Sequence, residues 1–346
     1  MQGLRGLAAV GVLLSHLYVI EAKYSPDTLL GPWARLGMAG VDLFFVISGF
    51  IMVYVTWNMA RGASALAPFL WRRATRIYPL YWIVSLAVLA VWLWRPDIVF
   101  ASNPDPDIVK SFLLIPQQGE PLLTVGWTLI HEMYFYLVFA LILLLPRKWM
   151  GYALGAWCVG VAGVATFAEF RSPTLSLVFS PLVFEFVAGA ALAMMWLRSG
   201  AVRLVPILAA LGVIVVGNIL YQSPSLDSVF EDHMARAVVL GPFTIAAFAI
   251  YALSMRADPG RTGIWLGDIS YSLYLTHVLT LSLVGRLAAP FLREGIADNI
   301  LLLVVMVGAS LAVAHLTYIL IERPLIRLFR RRRTLHPSRA AEPASD

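Results

Sequence analysis

The sequence is poor in charge. Only 13% of its 346 residues are Asp, Glu, Lys or Arg, where a soluble domain carries roughly 25%. That shortage excludes an ordinary water-soluble globule. Cysteine is nearly absent. Cys158 stands alone inside an apolar segment, which excludes an intrachain disulfide. No Cys/His cluster offers a structural metal site, so no metal ligands are expected. A signal-peptide reading of the N-terminus also lacks its key feature. No small-residue cleavage site follows the first apolar run, and a second run comes directly after it.

What the chain has is apolar length. Hydrophobic residues make up 60% of it, and its mean hydropathy is +0.79. Runs of about 20 residues, long enough to span a bilayer, recur from end to end. Ten are marked, at roughly 4–22, 36–57, 77–95, 127–146, 151–168, 175–197, 202–220, 237–255, 264–290 and 298–321. The expectation is an all-α, polytopic bundle of about ten transmembrane spans. Residues 1–329 form one membrane domain, and 330–346 a basic and then disordered tail. No extramembrane domain and no internal repeat stands out.

The net charge of +6 does not point to nucleic acid, because the basic residues fall in alternate loops. Arg61, Arg72, Arg73 and Arg76 belong to one set, with Arg147, Lys148, Arg198, Arg203, Arg256, Arg261 and the run Arg330 to Arg333. The other loops hold Asp97, Asp105, Asp107 and Glu120, then Asp227, Glu231 and Asp232. This is the positive-inside pattern, and it predicts that both termini are cytoplasmic. The arginine run 330–333 reads as an orientation signal in contact with membrane lipids.

Polar residues inside the spans are the candidates for function. Arg5 and His16 share one face of the first segment, with a rise of about 16 Å between them. Counted from the outer boundary, His16, Asp42 and Glu132 each come out about 9 Å deep, and His277 falls near the same layer. Ionisable groups at that depth need partners or water. The expectation is one polar chamber lined by His16, Asp42, Glu132 and His277; the plainer alternative is a set of structural contacts between helices. Thr128, Glu132 and Tyr136 form one polar stripe. Ser48, about 120° around its helix from Asp42, reads as a small packing residue beside Gly49.

The second constellation is basic. Arg73 and Arg76 share a helical face, and Arg72 adjoins them, with Arg5 at the same level. One reading is a topology signal or headgroup contact. The other is phosphate binding, for which the guanidinium fork is suited. The Arg5-to-His16 rise matches the reach of an extended pantetheine arm. A coenzyme A thioester bound by Arg5, Arg72, Arg73 and Arg76 would then present its acyl group near His16. His16 is expected to act as general base, with Asp42 or Glu132 orienting the ring as the acid of a triad does.

These residues also carry a resemblance. Leu4-Arg5-Gly6-Leu7-Ala8-Ala9 with His16, Gly40-Val41-Asp42 running to Ser48-Gly49-Phe50, Arg73-Ala74-Thr75-Arg76 leading to Pro79, Trp127-Thr128-Leu129 with Glu132, Tyr271 to His277, and Glu322-Arg323-Pro324 follow in order. Together they resemble the acyltransferase-3 family of bacterial membrane acyltransferases. Ile115-Pro116, Pro121-Leu122-Leu123 and Gly126-Trp127-Thr128-Leu129 are similar to the exopolysaccharide acetyltransferases of the succinoglycan type. That subgroup usually has Asn-Tyr where this chain has Ile130-His131, a departure that bears on the acceptor rather than the reaction. The family's fused outer hydrolase-like domain is not in the sequence.

The resemblance implies a bacterial inner-membrane enzyme. It would transfer an acetyl group from cytoplasmic acetyl-coenzyme A, used as a substrate and not as a bound cofactor. The acceptor would be a hydroxyl of a surface polysaccharide or its lipid-linked oligosaccharide precursor. The matching positions are Arg5, His16, Asp42, Arg73, Arg76, Glu132 and His277. Two other classes compete: a proton-coupled transporter or lipid-linked sugar flippase built on the same His/Asp/Glu set, and a non-catalytic subunit of an export complex. Against transport, no matched pair of broken helices marks two halves.

Overall fold

A computed structural model of the chain describes residues 1–96, 106–165, 170–199, 233–253 and 260–334. Every regular element among these residues is helical. We number the α-helices α1 (Gln2–Tyr24), α2 (Ala39–Thr56), α3 (Ala63–Trp94), α4 (Ile108–Leu113), α5 (Gly126–Ile142), α6 (Met150–Ala165), α7 (Pro173–Val178), α8 (Val183–Ser199), α9 (His233–Leu253), α10 (Gly260–Ala288), α11 (Ile296–Thr317) and α12 (Arg323–Thr334). A π-helical turn, Tyr318–Glu322, joins α11 to α12.

Among the described residues, six helices are long and apolar enough to cross a membrane, and Gly126–Ile142 and Val239–Ala249 are shorter apolar helices. The expected span 202–220 lies outside the described residues, as do 335–346 of the expected tail. The expected span 175–197 is interrupted between α7 and α8. The largest difference is at α3. Hydropathy alone begins that span at residue 77, and Arg72, Arg73 and Arg76 are expected in a loop. The helix in fact begins at Ala63 and carries all three arginines within it. Charge ends an apolar run without ending a helix, since Arg is a good helix former.

The bundle has two apolar cores with α1 and α10 between them. Leu4, Ala8 and Val12 recur every fourth residue of α1 and join the larger core with α2, α3, α5 and α8. Ala9, Leu13, Leu17 and Ile20 join the smaller core with Ile269, Leu273 and Leu281 of α10 and Met306 of α11. A helix buried on two faces has little room for polar side chains, and His16 of α1 meets His277 of α10 in the seam between the two helices.

Close crossings hold α2 against α8. A methyl group on Gly49 would sit 1.8 Å from the Phe186 carbonyl oxygen, and one on Gly189 would sit 1.9 Å from that of Val46. In lipid, helices associate through such backbone proximity because burying apolar surface supplies no drive between them. At the far end of α1, the buried carboxylate of Glu21 accepts from Leu29 N at 2.7 Å, Leu30 N at 3.1 Å and Asn299 Nδ2 at 2.9 Å. It ties the exit of α1 to α11.

Candidate active site

The central cavity, about 130 Å³, is enclosed by α1, α2, α3, α5 and α10. Arg5, Arg73 and Arg76 line it, with Glu132, Ser48 and Tyr136 and a wall of Phe, Ile and Tyr side chains. The arginines come from two helices. Arg73 and Arg76 are three residues apart and face inward together. Arg72 is rotated by about 100° and is exposed instead. Arg72 therefore does not line the cavity, against the expectation that it works with the other arginines.

Arg73 stands 5.8 Å from the ring centres of both Phe69 and Tyr136. Its Nε is buried with no hydrogen-bond partner. Glu132 accepts from the Tyr136 hydroxyl and from Ser48 Oγ, the latter at 3.2 Å. Ser48 is thus a member of the polar site rather than a packing residue. Its Oγ crosses from α2 to the stripe on α5, a contact that spacing along α2 alone does not reveal.

Glu322, which the sequence offers only within Glu322-Arg323-Pro324 and with no role attached, belongs to this group. Its side chain is 3% exposed and accepts from Ser272 Oγ at 2.6 Å. It stands in electrostatic reach of Arg76 and Arg5, and Arg5 also feels Glu132. It sits at the end of the π-helical turn, a distortion found often at functional sites. The signal in the sequence was a lone acid closing the last apolar run.

His16 and His277 meet across α1 and α10. His277 Nε2 lies 3.3 Å from His16 Nδ1, and the rings meet edge to face with centroids 4.8 Å apart. Each Nδ1 also faces the carbonyl of the residue four positions earlier, Val12 for His16 and Leu273 for His277, both at 3.0 Å. A carbonyl only accepts. The proton of neutral His277 is therefore assigned to Nδ1, and its Nε2 accepts from His16 Nδ1. His16 then carries its proton on Nδ1 and keeps the Nε2 lone pair. Tyr274 joins this pair to the central cavity. It lines the cavity, its ring is 6.0 Å from that of His277, and its hydroxyl is 2.6 Å from Thr128 Oγ1.

Asp42 takes part in neither group. Arg236 on α9 grips it with both arms, Nε to Oδ1 at 2.9 Å and Nη2 to Oδ2 at 2.8 Å. Both side chains are almost fully buried, at 2% and 0% exposure. Arg236 Nη2 also donates to the Met38 carbonyl at 3.0 Å, and the guanidinium lies 5.6 Å from the Trp127 ring centre. Glu185 of α8 is buried beside the pair, within electrostatic reach of both.

The single chamber of His16, Asp42, Glu132 and His277 is therefore replaced by three groups: the histidine pair, the Asp42–Arg236 ion pair, and Glu132 with the arginines. Counting along helices measures depth but not direction around the axis, and similar depth does not make residues neighbours. Arg236 escaped notice because it falls one residue before the apolar run expected at 237–255. An arginine at the edge of a run, with an unpaired acid expected on another span, was the signal available. Among the described residues, no group of His, Cys, Asp and Glu is arranged to hold a metal ion.

The model of an acyltransferase domain, Acyl_transf_3, matches residues 1–319. The exopolysaccharide production protein ExoZ of Rhizobium meliloti is 32% identical over 312 residues, covering 86% of this chain and 92% of that protein. The acyltransferase MdmB of Streptomyces mycarofaciens is 28% identical, covering 100% of this chain and 95% of that protein. The peptidoglycan O-acetyltransferase OatA of Listeria monocytogenes is 24% identical over 94% of this chain, which spans 55% of OatA. No solved structure matches the chain. None of these relatives supports the transporter or flippase reading. With apolar helices recurring along the chain and an acyltransferase domain matching nearly all of it, the protein belongs to the acyltransferase-3 family, as a multi-pass helical membrane acyltransferase.

Proposed function

We propose that the protein is an inner-membrane O-acetyltransferase that takes acetyl from cytoplasmic acetyl-coenzyme A and gives it to a hydroxyl of a surface polysaccharide or its lipid-linked precursor. The observation that carries this reading is the convergence of Arg5, Arg73 and Arg76 on one cavity whose wall reaches, through Tyr274, the His16–His277 pair. Three guanidinium groups with aromatic walls suit the phosphates and pantetheine arm of the donor. The acyl end threads past Tyr274 toward His16. The relatives ExoZ and OatA, by their names, serve exopolysaccharide production and peptidoglycan O-acetylation, which supports a glycan acceptor.

In this reaction the acceptor oxygen attacks the thioester carbonyl carbon as His16 Nε2 takes the hydroxyl proton. His277 Nε2 holds the ring by accepting from His16 Nδ1. The tetrahedral intermediate collapses, the C–S bond breaks, and the coenzyme A thiolate takes the proton from His16. The ester and free coenzyme A thiol are the products. Acetyl passes directly between the substrates.

Purified protein given radiolabelled acetyl-coenzyme A and polysaccharide from the producing cells should place label on the glycan. His16→Ala should lower transfer by about 10²–10⁴-fold, the usual worth of a general base, with melting temperature unchanged. Wild-type turnover in His16→Ala, or no label on glycan with the parent protein, would refute the proposal.

A further inference from the structure

A second cavity, about 260 Å³, lies among the start of α5, the segment 116–121 before it and α7. It is at the end of the bundle away from Arg61 and Arg147. Those two sit where Gly62 N bonds the Leu143 carbonyl and Arg147 Nη1 reaches the Trp57 carbonyl. The cavity is distinct from the central one. Helix α5 turns Thr128, Glu132 and Tyr136 toward the central cavity and Trp127, Ile130 and His131 toward the second. Spacings of three and four residues make each set one face. One helix diameter, about 10 Å, separates the two spaces.

Its walls are firmly built. Tyr78, Tyr81 and Trp82 of α3 donate to the carbonyls of Leu113, Ser111 and Phe112, at 2.9, 2.6 and 2.9 Å. Gln118 Nε2 bonds the Arg171 carbonyl at 2.9 Å, and Tyr134 OH bonds that of Val178 at 3.0 Å, so the two loops are tied together and to α5. Pro116, Pro121 and Pro173 line the space and fix its backbone. Such preorganisation lowers the entropy lost when a ligand binds.

The lining defines the ligand. His131 is the one ionisable side chain of the lining, which contains no Asp, Glu, Lys or Arg, so no fixed charge draws a phosphate or other anion there. Trp127 offers an aromatic surface, and Ser176 Oγ, whose proton goes to the Phe170 carbonyl at 3.0 Å, offers an acceptor. The amide of Gln117 donates through Nε2 to Ser111 Oγ at 3.1 Å, while its Oε1 is buried with no protein partner. A buried acceptor left unmet costs free energy that a ligand hydroxyl restores. A neutral molecule with an apolar ring face and several hydroxyls meets all of these terms, and a sugar ring is that molecule. Neither His16 nor His277 lines this space, so a unit seated here is not the unit that reacts.

We propose that this second cavity is a saccharide subsite, holding a neutral sugar unit of the acceptor chain at a distance from the hydroxyl being acylated. The inference rests on the proposed glycan acceptor. Its test uses purified full-length protein, labelled acetyl-coenzyme A, and two probes: neutral oligosaccharides released by mild acid from the surface polysaccharide of the producing cells, and their component monosaccharides. Gln117→Leu removes the acceptor oxygen, and Ser176→Trp fills the space. Oligosaccharide KM should rise about tenfold in Gln117→Leu, the scale of one hydrogen bond, and further in Ser176→Trp. Turnover at saturation, monosaccharide KM, acetyl-coenzyme A affinity and melting temperature should stay near the parent's.

Unchanged oligosaccharide KM in both variants, with transfer intact, would overturn the subsite and leave the enzyme reading standing. So would unchanged KM with altered co-purified lipid, which would mark a lipid pocket. If the parent protein transfers no label to either probe, the enzyme reading fails. Saturation-transfer NMR of the same oligosaccharides then decides the cavity by itself. Binding that Gln117→Leu abolishes supports it, and absence of binding by the parent ends it.

Discussion

An ionisable side chain inside an apolar bundle either meets an opposite charge or stands where a substrate will. Asp42 meets Arg236, and removing one member of a buried ion pair costs about 3–5 kcal/mol because the other charge is left unpaired. We predict that Asp42→Ala lowers the melting temperature and the amount of folded protein sharply, while Asp42→Ala with Arg236→Leu recovers much of both. Thermal melts in detergent read this directly. A fully stable Asp42→Ala variant that had lost only turnover would return Asp42 to the reaction. At this scale the sequence disclosed much. Arg5, Arg73 and Arg76 share a cavity, and His16 meets His277, but Glu132, expected beside the histidines, lies with the arginines. What stayed hidden was pairing: Asp42 with Arg236, Ser48 with Glu132, and Ser272 with Glu322. Each joins residues on different helices, and one sequence records no distance between helices.

Among the elements, α2 and α8 cross so closely that their glycines leave no room for a methyl group. Overpacking a tight interior costs about 1–3 kcal/mol, and here the obstacle is backbone, which yields less readily than a side chain. Gly49→Ala and Gly189→Ala should therefore each melt several degrees below the parent. Gly155→Ala, which points into open space on α6, should not. Equal melting of all three would show that the crossing relaxes at little cost. The length of apolar runs pointed to the long helices among the described residues, but the start of α3 and the break between α7 and α8 were not legible. Arginines shortened the apparent run in the first case, and in the second an apolar stretch continued through a turn.

For the whole molecule, the question is sidedness. Alternating loop charge predicts Arg5, Arg73 and Arg76 toward the cytoplasm and loop 106–125 outside, with the second cavity beside it. Sealed inside-out vesicles should use acetyl-coenzyme A added to the bath and acylate glycan in the lumen. Right-side-out vesicles offered the same donor should not. Equal use from either side of demonstrably sealed vesicles would remove the through-membrane arrangement. The general class, a helical membrane protein, was legible from composition alone. The division of its polar interior into separate compartments was not, because that depends on how each helix is rotated. The Ile130-His131 departure from the exopolysaccharide subgroup now has a location. Both residues face the second cavity, where a change of side chain would alter the glycan held and leave the chemistry alone.

The His16–His277 pair stands where the proposed reaction passes a proton from acceptor to thiolate, and that exchange has an electrical consequence. In the proposed reaction each turnover sends one acyl group outward, and the hydroxyl hydrogen it replaces goes inward, to leave on coenzyme A. Counted as acyl cation and proton, the two transfers carry equal charge in opposite directions. Moving one uncompensated charge across the membrane would involve about 2.3 kcal/mol per 100 mV. Here that work cancels over the cycle. The equilibrium of acylation is then independent of the membrane voltage, and a cell can decorate its surface glycans at any state of energisation that still provides the thioester.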